Sequence, residues 1–481
     1  MLLFHIFLIL QCAITSFSAD VSSDYFYIYT GEEWGNISTA SLFKRDRTEK
    51  HLDRMENGGA GVVMNEVQGL YHTDQYQLFE VFYNRARKDL VRRTKDPDKA
   101  TTFIIPYDFS SDVAFFNSCP RSKDHICFTF RKCPLAPKVE ELLRNSKYYT
   151  RHHGHDHLIL VGMNYAMDHY ILKPRCKAFL SGVCGNCTKL AIDDYSFLYG
   201  EPAEAVGTRG DHWAAVPFPG DFHWNHKIQR PFPWETLTRP VFISYLGSTQ
   251  SYYGPARKLR HAIVHYCKLH TQDCEHHTYS ANGTRSNLLV QGHNPHGLST
   301  RSVFCFQPIG DLMTRKGLFD GILQGCIPVV FSCLTASCMY TWHWEESFWK
   351  SVVIEFDMDL VLQRRLDPIQ ALKELAAGDA SFISSRQQRL RDRVFELQYS
   401  LVGFDEIARK GLDKNSSWPL DKNNFNGRMR DAYDIGIDHV LGWHSGKETR
   451  VRNATSPHCW NGMLNSTAVP SVCVPLPKSV A

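Results

Sequence analysis

The segment 302–331 holds the residues best suited to chemistry. It reads SVFCFQPIGDLMTRKGLFDGILQGCIPVVF, an apolar strand and a turn, then a helix that begins with a basic pair, then a second strand. In such βαβ units a ligand lies at the carboxyl ends of the strands, where a helix N-terminus presents free N–H groups to phosphate. We therefore predict that Arg315 and Lys316 face a diphosphate and that Asp320 accepts a hydrogen bond from a ribose hydroxyl. The alternative is a solvated basic helix start.

Three other clusters suggest different chemistry. The run 152–157 (HHGHDH) is rich in histidine, but neighbouring residues of an extended segment point apart, so we predict no metal site. Cys184 and Cys187 have the spacing of a redox or zinc motif, yet no second pair accompanies them, and we predict a structural disulfide. A third, aromatic cluster could stack on sugar rings or pack in the core: Trp342, Trp344, Phe348 and Trp349.

The elements around these residues alternate between strands and helices. Short apolar runs predict buried strands at 24–30, 101–106, 158–161, 241–245, 303–306 and 327–331, with helical spacing at 73–90, 255–268 and 315–325. This alternation predicts a parallel α/β sheet that occurs twice. The proline-rich segment 217–240 would link the two halves, and the leucine-periodic segment 367–410 predicts a long surface helix.

Composition excludes several classes of protein. The chain has 481 residues, 43% of them hydrophobic, which is too apolar for a disordered chain. Its 54 basic and 50 acidic residues give a net charge of +4, too balanced for non-specific nucleic-acid binding.

The N-terminus and the cysteines indicate an oxidising compartment. Residues 2–10 are apolar and small residues precede Ala19, which predicts a signal segment at 1–18, either a cleaved peptide or an uncleaved membrane anchor. Beyond it stand 14 cysteines, and short spacings suggest the pairs 267–274, 333–338 and 459–473. Six glycosylation sequons begin at Asn36, Asn186, Asn282, Asn415, Asn453 and Asn465. Together these features predict a secretory-pathway glycoprotein.

The motifs, taken in order, resemble the exostosin-type inverting glycosyltransferases, and most closely their plant xyloglucan galactosyltransferase branch. The resemblance covers most of residues 25–400 and is carried by Thr73-Asp74-Gln75 with Glu80, Gly154 to His157, Val216 to Pro219, Gly310-Asp311, Thr314-Arg315-Lys316, Phe319-Asp320 and Gly325 to Val329. One departure concerns the animal exostosins, in which an arginine stands three residues before the acidic position; here that residue is Gly317.

The resemblance implies a GT-B fold, in which two Rossmann-like domains face each other across a cleft. We expect an acceptor-side domain at 19–235, a nucleotide-sugar-binding domain at 236–405, and a C-terminal helix with a cysteine-containing tail at 406–481. Donor contacts would come from Gly310, Asp311, Arg315, Lys316 and Asp320.

The reaction implied is transfer of a hexose, with galactose as the expected sugar, from a UDP-sugar to a polysaccharide or glycoprotein glycan in the Golgi lumen. Side chains and a helix dipole, rather than a metal or another cofactor, would neutralise the leaving diphosphate. An inverting displacement needs a base on the acceptor side, for which Asp156 and His157, with His223 in reserve, are the candidates. Complexes with related transferases are a further expectation. The alternative is an inactive relative that binds glycans or scaffolds a partner enzyme.

Overall fold

A computed structural model of the protein describes residues 24–35, 37, 53–65, 69–114, 133–163, 174–193, 212–224, 238–251, 254–278, 295–310, 313–401 and 430–448. Four sets of predictions lie outside these residues: those on the signal segment, on Asp311, on the Cys459–Cys473 pair, and on every sequon except Asn186.

Two five-stranded parallel sheets form the framework of the described chain. The strands are β1 (Phe26–Ile28), β2 (Val62–Asn65), β3 (Leu70–His72), β4 (Thr102–Ile104), β5 (His157–Val161), β6 (Thr188–Ala191), β7 (Trp213–Ala215), β8 (Val241–Leu246), β9 (Cys274–His277), β10 (Ser302–Gln307), β11 (Ile327–Val330) and β12 (Ile354–Glu355). The first sheet has the order β1-β4-β5-β6-β7, and the second has the order β9-β8-β10-β11-β12. β2 and β3 form a separate antiparallel pair. The prediction of two parallel α/β sheets is thus confirmed.

Helices connect and cover the strands. They are α1 (Glu32–Gly35), α2 (Leu78–Lys88), α3 (Phe109–Ala114), α4 (Ala136–Asn145), α5 (Lys147–His152), α6 (Pro174–Ser181), α7 (Gly254–Leu269), α8 (Pro295–Arg301), α9 (Lys316–Leu323), α10 (Glu346–Val352), α11 (Met358–Leu362), α12 (Pro368–Gly378), α13 (Phe382–Arg393) and α14 (Ala432–Ser445). None of the described helices is long and apolar enough to cross a bilayer.

The first sheet is buried on both faces because successive strand residues point to opposite sides. On β5, Ile159 and Val161 pack into a cluster with residues of α4 and α6. Leu158 and Leu160 pack on the other side, in a cluster that includes α2, α14 and the second sheet. One apolar core therefore runs from the first sheet into the second.

α14 brings the end of the described chain back to the first sheet. Asp431, which caps this helix, accepts a hydrogen bond from the Arg85 side chain on α2. Near the other end, the His444 ring lies 2.9 Å from Thr102 Oγ1 and 2.8 Å from Thr188 Oγ1, at the first residues of β4 and β6. The helix expected at the C-terminal end thus completes one face of the N-terminal sheet.

The predicted long helix at 367–410 is wrong for its described part. The chain instead forms α12 and α13, with a break at 379–381. Asp379 has an extended backbone (φ −140°, ψ 110°), and its side chain accepts a hydrogen bond from Ser381 N. Aspartate competes for backbone donors in this way, so it favours turns and caps over a helix interior.

The cysteine predictions have mixed outcomes. The Cys267–Cys274 disulfide is confirmed, and two further bridges join Cys133 to Cys176 and Cys305 to Cys326. Cys338 is disulfide-bonded but not to Cys333, so that predicted pair is wrong, because close spacing alone does not orient two sulfurs toward each other.

The predicted Cys184–Cys187 disulfide is also absent. Both residues are buried thiols, with their sulfurs 2.8 Å apart. Burial raises the pKa of the Cys184 thiol and so disfavours the thiolate that would attack to form the bond.

Candidate active site

The strand order of the second sheet points to a ligand position. In chain order its strands are β8, β9, β10, β11 and β12, but β8 pairs with both β9 and β10, so the order reverses between β8 and β10. Open α/β sheets bind ligands at the carboxyl ends of the strands beside such a switch point. Here those ends are Leu246 and Gln307.

Arg260 on α7 fixes the two loops that border this position. Its guanidinium donates to Ser248 O and Gln250 O after β8, at 3.2 and 2.6 Å, and to Ile309 O after β10, at 3.2 Å. Ser251 Oγ donates to Gly310 O at 3.4 Å, so the predicted glycine lies in the same connection. The two loops at the switch point are therefore held together by hydrogen bonds to backbone carbonyls.

Arg315 occupies the position just before α9 and reaches across the switch point. Its backbone is extended (φ −158°, ψ 150°), and its Nη2 donates to Leu246 O at the end of β8, at 2.9 Å. Its Nη1 is buried and has no hydrogen-bond partner among the described residues. A guanidinium with one unused donor at the N-terminus of α9 is well placed for an anionic or hydrogen-bonding ligand.

Lys316, the second residue of the basic pair, is already engaged. Its Nζ lies 2.6 Å from Asp221 Oδ1 and 2.8 Å from Asp320 Oδ2. Both carboxylates are buried, so the ammonium charge is balanced inside the protein. Lys316 thus connects α9 to the loop that follows β7.

Asp320 also connects α9 to the loop that follows β7. Its Oδ1 accepts a hydrogen bond from Asp221 N at 2.9 Å, and Gly220 leaves room for it, since a Cβ on that glycine would lie 3.1 Å from this oxygen. These contacts give Asp320 a structural role. Its predicted contact with ribose stays a prediction.

Asp156 and His157 lie where the strands of the first sheet begin, at the edge opposite to their carboxyl ends. His157 is the first residue of β5, and its ring nitrogens lie 2.7 Å from Asp156 Oδ1 and 2.7 Å from the Tyr29 hydroxyl. Burial lowers the pKa of His157. Burial also disfavours the ionised form of Asp156, but hydrogen bonds from His157 and Arg151 outweigh it and hold the Asp156 pKa below its usual range. In this arrangement an acceptor hydroxyl would have to displace these partners, and the assignment of either residue as the base stays a prediction.

His223 is fully enclosed between segments distant in sequence. Its Nδ1 lies 2.7 Å from Tyr399 O and its Nε2 lies 2.9 Å from Thr73 Oγ1. Burial lowers its pKa to about 4. The assignment of His223 as the base stays a prediction. Its contacts join the loop after β7 to the chain after α13.

Two residues near these positions were not predicted as site residues. Gln307 ends β10 at the switch point, is 5% exposed, and its Oε1 has no hydrogen-bond partner among the described residues. Asp221 binds Lys316, as described above. A polar residue that ends an otherwise apolar strand was the available signal for Gln307, whereas no local pattern links Asp221 to α9.

Glu80 is a further carboxylate with an unusual environment. It lies in the first turn of α2, whose start packs on Gly162 immediately after β5, at the carboxyl edge of the first sheet. Burial, with a smaller effect of Asp108, raises its pKa to about 8. Strongly shifted acids at such an edge are candidates for proton transfer.

The other clusters do not converge on a site. Within the described ranges, no group of three or more histidine, cysteine or acidic side chains is arranged to hold a metal ion. Trp344 and Trp349 are fully buried, so these two members of the aromatic cluster belong to the core. Trp342 instead packs edge-on against His439 and Trp443 of α14.

Comparison with known proteins places this architecture in a family. Residues 23–369 match the model of the exostosin GT47 domain. The chain is 24% identical over 408 residues to xyloglucan-specific galacturonosyltransferase 1 of Arabidopsis thaliana, with 80% of this chain and 52% of that protein covered. It is 25% identical over 393 residues to xyloglucan galactosyltransferase XLT2 of the same plant, with 78% and 64% covered.

A third relative, the probable xyloglucan galactosyltransferase GT20 of Arabidopsis thaliana, is 26% identical over 400 residues, with 80% of this chain and 61% of that protein covered. The chain thus spans between half and two thirds of the length of these three relatives. Because the family model covers most of the chain and agrees with the two parallel sheets, the chain belongs to the exostosin GT47 family.

Proposed function

We propose that the protein is an inverting glycosyltransferase of GT-B architecture that transfers a hexose from a UDP-sugar to a glycan hydroxyl. Galactose is the donor sugar that we favour, because two of the relatives described above are named as galactosyltransferases. The acceptor would be a polysaccharide or a glycoprotein glycan. These relatives are named for xyloglucan, which does not fix the acceptor of this chain.

The observation that carries the proposal is the position of Arg315. It lies at the switch point of a doubly wound sheet and directly before a helix N-terminus, and both N–H bonds of its guanidinium Nη1 are without a partner among the described residues. Transfer from a UDP-sugar leaves a diphosphate whose negative charge must be stabilised as the glycosidic bond breaks. Arg315 and the N-terminus of α9 would supply that stabilisation in the proposed reaction.

The reaction also needs a group that takes the proton of the acceptor hydroxyl. Asp156, His157 and His223 remain the candidates from the sequence, although their ring and carboxylate atoms are occupied by the contacts described above. Glu80 is a candidate that the structure adds, since it is half-buried and makes no hydrogen bond to other described residues. Its location at the carboxyl edge of the first sheet supports this choice.

We further propose that the protein works in the secretory pathway, in the Golgi lumen. The disulfides of the described chain support this compartment, because such bonds persist in oxidising environments. Membrane anchorage through the N-terminal segment and complexes with related transferases belong to the same proposal. An inactive glycan-binding or scaffolding relative is the alternative.

The test begins with the purified protein and a set of nucleotide sugars, with released UDP as the readout. Calorimetry of UDP binding then compares the wild type with Arg315→Ala, which we expect to bind UDP roughly tenfold more weakly or worse. Arg301→Ala is the matched control, since Arg301 pairs with Glu275 at the exposed amino end of the same sheet.

Two outcomes would contradict the proposal. Unchanged UDP affinity in Arg315→Ala would remove the assignment of that residue. Failure of the wild type to bind UDP or to release it from any donor would favour the inactive alternative.

A further inference from the structure

Two side chains at the switch point carry unused hydrogen-bonding atoms of opposite kinds. Gln307 Oε1 is an acceptor and Arg315 Nη1 is a donor, and each is buried without a hydrogen-bond partner among the described residues. A buried polar atom that lacks a partner costs free energy, and native structures contain few of them. Two such atoms, on side chains at the same switch point, therefore indicate a group that completes the site.

Gly317 brings these two side chains together. A Cβ on this glycine would lie 2.9 Å from Arg315 Nε, 2.9 Å from Arg315 Nη2 and 3.1 Å from Gln307 Oε1. Both polar groups thus lie over the first turn of α9, in the space that any larger residue at 317 would occupy.

The chemistry of the missing partner follows from the pair. An ionised phosphate oxygen only accepts hydrogen bonds, so it could satisfy Arg315 Nη1 but would face the Gln307 carbonyl oxygen as one acceptor against another. A hydroxyl group both donates and accepts. It could donate to Gln307 Oε1 and accept from Arg315 Nη1 at the same time.

We propose that Gln307 and Arg315 together bind one hydroxyl group of the nucleotide-sugar donor. This inference rests on the proposed function, and it makes Gln307 a residue that reads the sugar portions of the donor rather than its phosphates. The hydroxyl could belong to the ribose or to the hexose, and the experiment distinguishes these two sources.

The experiment measures binding by calorimetry for wild type, Gln307→Met and Arg315→Ala. The probes are inorganic pyrophosphate, UDP, 2′-deoxy-UDP, 3′-deoxy-UDP and UDP-galactose. Gln324→Met is the matched control, because Gln324 is also nearly buried but lies at the other end of α9. Thermal unfolding of each variant verifies that the domain remains folded.

We expect Gln307→Met to leave pyrophosphate affinity unchanged and to weaken a hydroxyl-bearing probe by about three- to tenfold, the effect of one lost hydrogen bond. Arg315→Ala should weaken pyrophosphate, and it should weaken the hydroxyl-bearing probe further, because that probe loses the phosphate contact and the hydroxyl contact together. If the ribose is bound, Gln307→Met affects UDP but not the deoxy analogue that lacks the bound hydroxyl. If the hexose is bound, it affects UDP-galactose but not UDP.

Two results would overturn the inference while leaving the proposed function intact. Equal weakening of pyrophosphate and UDP by Gln307→Met would show that Gln307 acts on the phosphates. Unchanged affinity for every probe would leave a buried water as the partner of both atoms. Failure of the wild type to bind any uridine nucleotide would instead contradict the proposed function itself.

Discussion

Lys316 Nζ lies 2.6 Å from Asp221 Oδ1, although the two residues are 95 positions apart in the chain. The contact joins the first residue of α9, in the second sheet's half, to the loop that follows β7 in the first. Asp320 completes the arrangement by contacting both partners. An ion pair of this kind ties the candidate donor site to the geometry between the two sheets.

Lys316→Met should destabilise the protein strongly. It would leave the buried carboxylates of Asp221 and Asp320 without their cation, and removal of one partner of a buried pair typically costs about 3–5 kcal/mol. Urea denaturation measures the change in the free energy of unfolding. The control is Lys138→Met, which breaks an exposed pair with Glu141 and should cost less than about 1 kcal/mol. Equal effects of the two substitutions would contradict the argument.

Turnover should depend on Glu80 more than on His157. If Glu80 takes the proton of the acceptor, Glu80→Gln lowers the rate by about 10²–10⁴-fold while UDP affinity is retained. Because the pKa of Glu80 is about 8, its ionised fraction grows as the pH rises, and turnover should increase through about pH 8 and level off above it. The measurement is the pH dependence of UDP release for the wild type and both variants.

His157→Gln serves as the comparison for that experiment. Its ring is buried against Tyr29 and Asp156, so we expect lower stability but turnover within about tenfold of wild type. The reverse result, with full turnover in Glu80→Gln and a large loss in His157→Gln, would favour His157 as the base.

Acid should destabilise the protein partly through His343. This residue is 4% exposed, and burial lowers its pKa to about 3, whereas an unfolded histidine has a pKa of about 6.5. As the pH falls below about 6.5 the unfolded state binds a proton and the folded state does not. The folded state therefore keeps its full stability with respect to His343 above that pH, and it loses stability progressively as the pH falls toward about 3.

The measurement compares the free energy of unfolding at pH 7.5 and pH 4.5. Across this interval His343 should account for about 2–3 kcal/mol, so His343→Gln should show a correspondingly smaller loss. His152→Gln replaces an exposed histidine and should behave like the wild type. An unchanged pH dependence in His343→Gln would refute the assignment.

The disulfide between Cys305 and Cys326 should stabilise the site region. It encloses the chain between β10 and β11, including Gln307 and Arg315. Replacing both cysteines with alanine should cost about 2–4 kcal/mol in thermal or urea unfolding. Peptide mapping under non-reducing conditions should recover this bridge together with Cys133–Cys176 and Cys267–Cys274, and mainly free thiols would contradict the oxidising compartment.

Much of the framework could be predicted from the sequence. The apolar runs that became β5, β8, β10 and β11 are short and continuous, as buried parallel strands are, so their position required no knowledge of tertiary contacts. Arg315 was also placed correctly before a helix, because a basic pair after a strand and turn marks that junction. β6, β7 and β9 were missed, since each is only three or four residues long; β6 and β9 also carry polar residues, and β7 (Trp-Ala-Ala) has no β-branched residue.

The partners within the site were harder to predict. The spacing of four residues between Lys316 and Asp320 does indicate an ion pair on one helix face, and this contact is present. Asp221, in contrast, precedes Asp320 by 99 residues, so only the packing of the two halves brings them together. The same holds for Gln307 and Arg315, whose side chains both lie over residue 317, where only a glycine leaves room for them.

The return of α14 to the first sheet has a consequence for synthesis. The last strand of that sheet ends at Ala215, whereas the helix that covers one of its faces begins at Ala432. At about 5–20 residues per second, translation takes roughly 10–50 s to proceed from one to the other. Throughout this interval the nascent sheet lacks part of its apolar cover and offers a surface to chaperones. A premature stop before Ala432 would therefore damage the half of the protein that is translated first.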